Sequence, residues 1–395
     1  MITGVKRRDT RLDAIRGVLL IIMAAVHVPT PLSHLLQEPF GFTSAAEGFI
    51  FLGAALAGYV YGKSHVQAGW TVMSGKVWAR ARRVYFIHLA MLVPAVALAW
   101  MVSNRLAPLA NQFHDFLAHP WGSLVLMPLL LHQPPLFDIL PLYVIFLGLT
   151  PLLLAAARRR GWEIVLAVSA LGWLMAQFKL DARVLGDPSR LLPLRLGSFD
   201  LAAWQFLWVA GLAVGETAFR RPLIRRGWRP GLGAVSLVIV LVGLLSRHGL
   251  WPQAWFSQDL YLWMDKWTLG PLRLLNFAAW VVLLLAWNPA LLPPLLSPVA
   301  LLGRHSLAVF SFHVPLAIGA IILIQTGSLS SVSQILIGLL VIAALFPWAA
   351  WQERHSRRRD RANATLAAAA GVASAGAAGE KQATPANWAE VPAPG

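Results

Sequence analysis

Four polar residues near the start of the chain could together perform acid–base chemistry. Asp13, Arg16 and His27 lie in one apolar run, and Glu47 opens the next apolar run. An ionisable group in hydrocarbon is costly, so its position alone makes each residue a functional candidate. A neutral imidazole can accept a proton near pH 7, and a neighbouring carboxylate can orient it and stabilise the imidazolium. We predict catalytic roles for all four, with His27 as the general base and Glu47 as its partner.

Each of these residues also has a structural explanation. Asp13 and Arg16 are three residues apart on one helix face, where they can form an ion pair. Glu47 can be a carboxylate that the helix dipole favours at an N-terminus. Arg16 and His27 enclose ten residues, which separates them by roughly 16 Å along a helix. They therefore lie near opposite faces of a membrane, and a hairpin can bring Glu47 to His27.

Basic residues form a dense cluster after the second apolar run. Arg80, Arg82 and Arg83 lie within four positions of one another. Arginine presents a bidentate fork that suits phosphate oxygens, so the cluster predicts a nucleotide-binding group. The same cluster can be a topology signal alone, because positive charge accumulates on the cytoplasmic side of membrane proteins.

Further polar residues border or interrupt the later apolar runs. Taken singly, each is explained by packing or by a helix end, and taken together they are substrate-binding candidates. Gly211 and Gly215, four residues apart, predict a close helix contact. No metal-ligand spacing is present, so we predict no metal and no permanently bound cofactor. The substrate-binding candidates are Asp138, Tyr143, Trp204, Gln205, Asp265, Lys266, Arg273, Arg304, His305, Ser306 and His313.

The composition indicates a membrane protein. Of the 395 residues, 57% are hydrophobic and 13% are charged, whereas charged residues form about a quarter of soluble domains. The net charge of +16 does not indicate nucleic-acid binding, because the basic residues lie in short clusters between long apolar runs. The 18 tryptophans suit membrane interfaces. The chain has no cysteine, which excludes disulfides, thiolate metal sites and an acyl-cysteine intermediate.

Ten apolar runs are long enough to cross a bilayer, which requires about 20 residues for a core of about 30 Å. A shorter run, 121–131, is predicted to be re-entrant or interfacial. With a cytoplasmic N-terminus, most Lys and Arg residues of the connecting segments fall on the cytoplasmic side. The sequence predicts an all-α polytopic membrane protein with about ten transmembrane helices and both termini cytoplasmic. The ten runs are 12–28, 46–62, 84–102, 139–157, 163–179, 200–218, 232–247, 272–288, 305–325 and 333–351.

The composition changes near the C-terminus. We predict a transmembrane domain over residues 1–355 and a cytoplasmic tail over 356–395. The tail is first basic and then rich in Ala and Gly. From about residue 363 little hydrophobic bulk is present, which predicts disorder.

Several strings resemble a known family. Arg16-x10-His27 resembles the arginine–histidine motif of the membrane acyltransferase-3 superfamily, and Arg80-Ala81-Arg82 resembles its cytoplasmic Arg-x-Arg motif. Within that superfamily the chain is most similar to the OpgC family, which succinylates osmoregulated periplasmic glucans. Val26 and Thr43-Ser44 depart from the acidic residues that the family pattern has there. The similar strings are RDTRLDAIRGVLLIIMAAVHVP, GFTSAAEGFIFLGAALAGYVYG, FDILPLY, FDLAAWQFLWVAG, DKWTLGPLRLLNF and LGRHSLAVFSFH.

The resemblance implies a multi-pass O-acyltransferase of the bacterial inner membrane. It would move a succinyl or similar group from cytoplasmic acyl-CoA, with succinyl-CoA expected, to hydroxyl groups of periplasmic glucans. Arg273 and Lys266 would then hold the free carboxylate of the donor, and Trp204 would stack on sugar. Acyl-CoA, the glucan and the lipid bilayer are the partners that it implies. Three other functions stay open: acetyl transfer to another exported glycan, transport of acyl or glycan species, and a structural scaffold.

Overall fold

The computed structural model of the protein describes residues 10–102, 105–179, 197–220, 230–250, 262–286 and 296–382. These residues form α-helices joined by turns, and none of the residues in these ranges lies in a β-strand. The predicted all-α class is therefore confirmed. The helices are α1 (Thr10–His27), α2 (Pro31–Leu36), α3 (Ala45–Val102), α4 (Ala107–Gln112), α5 (His114–Ala118), α6 (Pro120–Leu126), α7 (Ile139–Arg160), α8 (Trp162–Gln177), α9 (Leu201–Arg220), α10 (Pro230–Arg247), α11 (Pro271–Ala286), α12 (Ser297–Arg304), α13 (Ser306–Thr326) and α14 (Ser331–Gln382).

Four of the described helices are long and apolar enough to cross a membrane: α3, α7, α13 and the Ser331–Asn363 part of α14. Three shorter apolar helices cover Trp162–Gln177, Gly231–Arg247 and Pro271–Leu285. Large apolar side chains such as Val168, Val238 and Leu340 face outward. Such side chains would be unfavourable in water over so wide a surface, whereas lipid accommodates them. The fold is thus that of a helical membrane protein.

Helix α3 contains two of the predicted spans, 46–62 and 84–102, with a bend between them. Gly69 lies at the bend with φ of 77°, a left-handed conformation that glycine adopts without a steric penalty. The Lys76 Nζ donates a hydrogen bond of 3.1 Å to the Ser64 Oγ across this bend. The chain can therefore reverse direction within a nearly continuous helix.

The core lies where α1, α3, α7, α9 and α13 meet. The predicted close contact at Gly211 and Gly215 is confirmed, because α9 packs there against the backbone of α3. A Cβ atom at Gly211 would lie 2.6 Å from the Cβ of Ala54, and one at Gly215 would overlap the carbonyl of Ala55. Small residues let helix backbones approach closely, and this contact holds the first half of α3 in the centre of the bundle.

The short predicted segment 121–131 contains α6 and the turn that follows it. At the C-terminal end, α14 continues to Gln382, and the disorder of the tail stays a prediction. Alanine has the highest helix propensity of all residues, so an Ala-rich segment can be helical without apolar bulk. Residues 287–288 of the eighth predicted span and residues 383–395 of the tail lie outside the described residues.

Candidate functional site

His27, the last residue of α1, is bonded to a second histidine. Its Nδ1 lies 2.8 Å from the Nε2 of His313 on α13. The two rings stack with centroids 5.0 Å apart and an interplanar angle of 20°. His313 is itself buried, with 1% of its surface exposed. The residue predicted only as a substrate contact is thus the partner of the predicted base.

The hydrogen bonds determine which nitrogen of each ring carries the proton. His313 Nδ1 lies 2.7 Å from the Phe310 carbonyl, and a carbonyl oxygen can only accept, so this nitrogen donates. In the neutral His313 ring, Nε2 is then an acceptor. His27 Nδ1 must therefore donate to it, which leaves the Nε2 of a neutral His27 with a free lone pair. That lone pair is what a general base requires.

Glu47 is held by other partners than His27. Arg273 Nη1 donates to Glu47 Oε1 at 2.5 Å, and the Ser44 backbone and hydroxyl donate to Oε2 at 3.0 and 2.5 Å. Glu47 is fully buried, and no hydrogen bond joins it to His27 among the described residues. The expected pairing of Glu47 with His27 is therefore replaced by a pairing with Arg273.

Arg273 is already engaged by three protein groups. Its Nη1 binds Glu47, its Nη2 binds Glu38, and its Nε donates to the Met264 carbonyl at 3.0 Å. Glu38 also pairs with Arg247 at 2.9 Å. Each nitrogen of the buried guanidinium therefore already has a protein partner, and the role of Arg273 in binding the donor carboxylate stays a prediction.

Lys266 has the free charge that Arg273 lacks. It lines a small cavity of about 60 Å³ together with His27, Ser44 and Asp138. Its Nζ lies 5.0 Å from the ring centroid of Trp267, and it makes no ion pair within the described part of the chain. The cavity therefore brings a candidate base and a cation to one enclosed space.

Asp138 precedes α7 and supplies the acidic group of this cavity. Its Oδ2 accepts a hydrogen bond of 3.2 Å from the Ser198 backbone. That bond joins the start of α7 to the chain before α9. Asp138 and Lys266, both predicted as substrate-binding, are thus brought together with His27.

Arg16 lies at the other end of α1 and donates a hydrogen bond to the Ser306 hydroxyl at the start of α13. Asp13, one turn away, is 3% exposed. Nearby, Glu353 of α14 binds Arg304 at 3.0 Å and His305 at 2.8 Å. Arg304, His305 and Ser306 therefore join α13 to α1 and α14 at the end remote from His27.

The three arginines of the basic cluster differ in exposure. Arg80 is half-buried on α3, whereas Arg82 and Arg83 are exposed. None of the three makes an ion pair with another described residue. Arg80 is therefore the member that faces the bundle, and all three are available to an anionic ligand.

Other predicted substrate contacts have structural roles. Trp204 is fully buried and donates to the Trp267 carbonyl at 3.0 Å. Gln205 exchanges hydrogen bonds with Ser169 of α8 at 2.6 and 2.7 Å. The Asp265 carboxylate accepts two hydrogen bonds from Thr268, at 2.8 and 2.7 Å. These three side chains have protein partners in packing and turns, and their roles as ligands stay predictions.

Tyr143 is half-buried in the bundle centre between α3 and α9. Its ring meets Trp208 edge-on at 4.9 Å, and its hydroxyl lies against Gly53 of α3. The absence of a side chain at Gly53 makes room for that hydroxyl. Tyr143 therefore lies inside the bundle, away from the cavity that His27 lines.

Two contributors to the site were not predicted, Glu38 and Ser44. Ser44 stands three residues before Glu47, the spacing of a capping box, in which the acidic side chain bonds the backbone N–H of the cap residue. That signal was present in the sequence. Glu38 gave no such signal, because it lies alone in a connecting segment. No group of three or more His, Asp or Glu side chains in the described ranges is arranged to hold a metal.

Comparison with known proteins identifies one family. The family model described as OpgC protein matches residues 8–357. No curated protein and no solved structure matches the chain. The match covers the cavity, the histidine pair and both ends of α1.

Proposed function

Because the chain belongs to the OpgC family, we propose that it is a membrane O-acyltransferase of the acyltransferase-3 superfamily. It moves a succinyl or similar acyl group from cytoplasmic acyl-CoA to hydroxyl groups of a periplasmic glucan. The observation that carries this proposal is the His27–His313 pair, which leaves a lone pair on His27 at the wall of a cavity. A base in that position suits proton removal from an attacking hydroxyl.

The proposed topology has ten spans in the bacterial inner membrane, with both termini in the cytoplasm. Under it, the Arg16 end of α1 faces the cytoplasm and the His27 end faces the periplasm. Arg80 then lies on the side of a cytoplasmic nucleotide. The distribution of Lys and Arg along the sequence supports this orientation.

The proposed reaction is a direct transfer within a ternary complex. His27 Nε2 removes the proton of a glucan hydroxyl as its oxygen attacks the thioester carbon. The tetrahedral intermediate collapses, the carbon–sulfur bond breaks, and the CoA thiolate takes the proton from the His27 imidazolium. The products are a glucan ester and CoA–SH. The chain has no cysteine, and Ser306, bonded to Arg16, lies at the opposite end of α1 from His27. We therefore propose that the acyl group passes directly from CoA to the glucan, without a covalent acyl-enzyme intermediate.

Lys266 is the proposed partner of the free carboxylate of a succinyl donor. A carboxylate inside the bundle requires a cation or strong donors. Lys266 lines the same cavity as His27, where it also interacts electrostatically with Asp138, and its Nζ lies 5.0 Å from the centroid of the Trp267 ring. Arg273, in contrast, is already paired with Glu38 and Glu47. Of the two cations predicted for this role, Lys266 is therefore the one that we propose.

Release of CoA by the purified protein tests the proposed function. The chain has no cysteine, so a thiol reagent detects only the CoA–SH that the reaction liberates. Protein in lipid nanodiscs is supplied with succinyl-CoA or acetyl-CoA and a neutral glucan. We expect glucan-dependent CoA release and an increase in negative charge on the glucan with the succinyl donor. A preference for acetyl-CoA would favour the alternative acetyltransferase, and no CoA release with either donor would favour transport.

Two variants test the roles of His27 and Lys266. His27→Ala should lower the rate by about 10²–10⁴-fold, the usual contribution of a general base. His114→Ala is the control, because that side chain is 80% exposed. Lys266→Met should lower kcat/KM for succinyl-CoA by roughly 10- to 150-fold, the value of a charged hydrogen bond, and leave acetyl-CoA nearly unchanged. Full activity of His27→Ala would remove the proposed base, and equal losses with both donors would make Lys266 structural.

A further inference from the structure

A second and larger cavity also has His27 in its wall. Its volume is about 700 Å³, within the range of about 300–1,000 Å³ that is typical of ligand pockets. His27 and Val26 line both this cavity and the small cavity that contains Lys266. We call it the outer cavity. The polar side chains that line it, besides His27 and Thr30, are Ser33, His34, Asn111, Gln112, Gln325 and Gln334.

We infer that the outer cavity binds neutral hexose units of the acceptor and presents a hydroxyl group to His27. The inference rests on the proposed function, and it adds the acceptor site to it. Apart from Val26 and His27, the residues of the outer cavity belong neither to the histidine pair nor to the lining of the small cavity.

The hydrogen-bonding groups of the outer cavity are largely unused. The side chains of Asn111, Gln112 and Gln325 make no hydrogen bond within the described part of the chain. Gln334 donates from its amide nitrogen to the Leu329 carbonyl at 3.1 Å, so its amide oxygen stays available. A side-chain amide offers both an acceptor and two donors. Such groups match sugar hydroxyls, each of which also donates and accepts.

The charge of the outer cavity argues for an uncharged ligand. None of the described residues that line it is Asp, Glu, Lys or Arg. A phosphate or carboxylate ligand would lack a cationic partner there, and charged groups require one when they leave water. Pro29, Pro31, Pro108 and Ile321 supply apolar surface between the amides. That combination suits the C–H faces and the hydroxyl rim of a neutral sugar better than it suits a nucleotide.

The position of His27 in the wall of both cavities explains how two substrates could meet. An acyl group in the small cavity lies next to the imidazole and Lys266. A sugar in the outer cavity also lies next to the imidazole, where α2 and α4 and the facing ends of α13 and α14 surround it. Val26 and His27 line both cavities, and of these two residues only His27 has a side chain that can accept a proton.

Thiol labelling tests the inference without requiring catalysis. The chain has no cysteine, so Ser33→Cys introduces a single thiol into the outer cavity. Ser330→Cys is the control, because Ser330 is exposed in the turn between α13 and α14 and does not line the cavity. A membrane-impermeant methanethiosulfonate reagent is applied to both variants in nanodiscs, with and without neutral gluco-oligosaccharides of about six units.

We expect the oligosaccharide to slow labelling at Ser33→Cys several-fold and to leave Ser330→Cys unchanged. Oligosaccharides of the same length that carry a carboxylate on each unit should protect less. Equal labelling rates at Ser33→Cys with and without neutral oligosaccharide would overturn the inference. Protection at both positions would also overturn it, because it would indicate a non-specific effect of the sugar.

Kinetics of the amide variants provide the second measurement. Gln112→Ala and Gln325→Ala should each raise the KM for the glucan by roughly two- to ten-fold, the value of one neutral hydrogen bond. The KM for acyl-CoA should not change. Protection from labelling without any acyl transfer would refute the proposed function but support the outer cavity as a glycan-binding site. Acyl transfer with unchanged glucan KM and no protection would refute the outer cavity and keep the function.

Discussion

Replacing His313 tests whether the histidine pair acts in catalysis. His313→Ala removes the acceptor of the His27 Nδ1–H, which now lies 2.8 Å from His313 Nε2. Without that acceptor, the tautomer that exposes the His27 Nε2 lone pair is no longer favoured. His313 touches His27 and not the reacting atoms, so it is a positioning residue.

The size of the effect follows from the hydrogen bond. In the transition state His27 becomes an imidazolium, and a hydrogen bond from a charged donor contributes about 1.5–3 kcal/mol. At 1.36 kcal/mol for each factor of ten, this corresponds to a roughly 10- to 150-fold decrease in kcat. His313→Gln supplies an amide oxygen as acceptor at a similar reach, and it should recover most of that loss.

The assay is single-turnover release of CoA–SH in nanodiscs, followed with a thiol reagent at saturating donor and glucan. Thermal stability of each variant is measured in parallel, so that loss of fold is separated from loss of rate. The double variant His27→Ala/His313→Ala should be no slower than His27→Ala alone, since His313 acts through His27. Three results would refute a positioning role for His313. They are full activity of His313→Ala, equal losses of rate in His313→Ala and His313→Gln, and additive losses in the double variant.

Three further predictions concern the bundle and its cytoplasmic end. Arg273→Met leaves the buried Glu47 carboxylate without its cation, whereas Glu38 keeps Arg247, so the change should lower the free energy of unfolding by about 3–5 kcal/mol. Added Glu47→Gln should recover part of this loss. A selective loss of activity with succinyl-CoA would instead support the donor-binding role of Arg273. Gly215→Ala should lower the midpoint of thermal unfolding, because the added Cβ would overlap the α3 backbone. The control is Gly319→Ala, whose added Cβ meets nothing within 4 Å and which should be neutral or stabilising. Equal midpoints for the two variants would contradict the close contact. Arg80→Ala should raise the KM for acyl-CoA about tenfold or more, as loss of a charged hydrogen bond predicts, and an unchanged KM would leave the arginine a topology signal.

Much of the architecture is evident from local sequence patterns. Long apolar runs predict helices that suit a bilayer, because backbone groups must be paired within hydrocarbon. The four-residue spacing of Gly211 and Gly215 predicts a close helix contact, and α9 packs on α3 at that point. The motif strings predict the family whose model matches residues 8–357. These features depend on neighbours in sequence or on composition, which a single chain displays directly.

The pairing of side chains was decided by tertiary packing. His27 and His313 are separated by 286 positions in sequence, and Glu47 and Arg273 by 226. The sequence offered a nearer partner for His27 in Glu47, because both lie at the same predicted depth. Spacing along one helix determines which residues share its face, but it does not determine which other helix packs against that face. Only the assembled bundle places α13 beside the end of α1, and the steric fit of whole helices decides that contact.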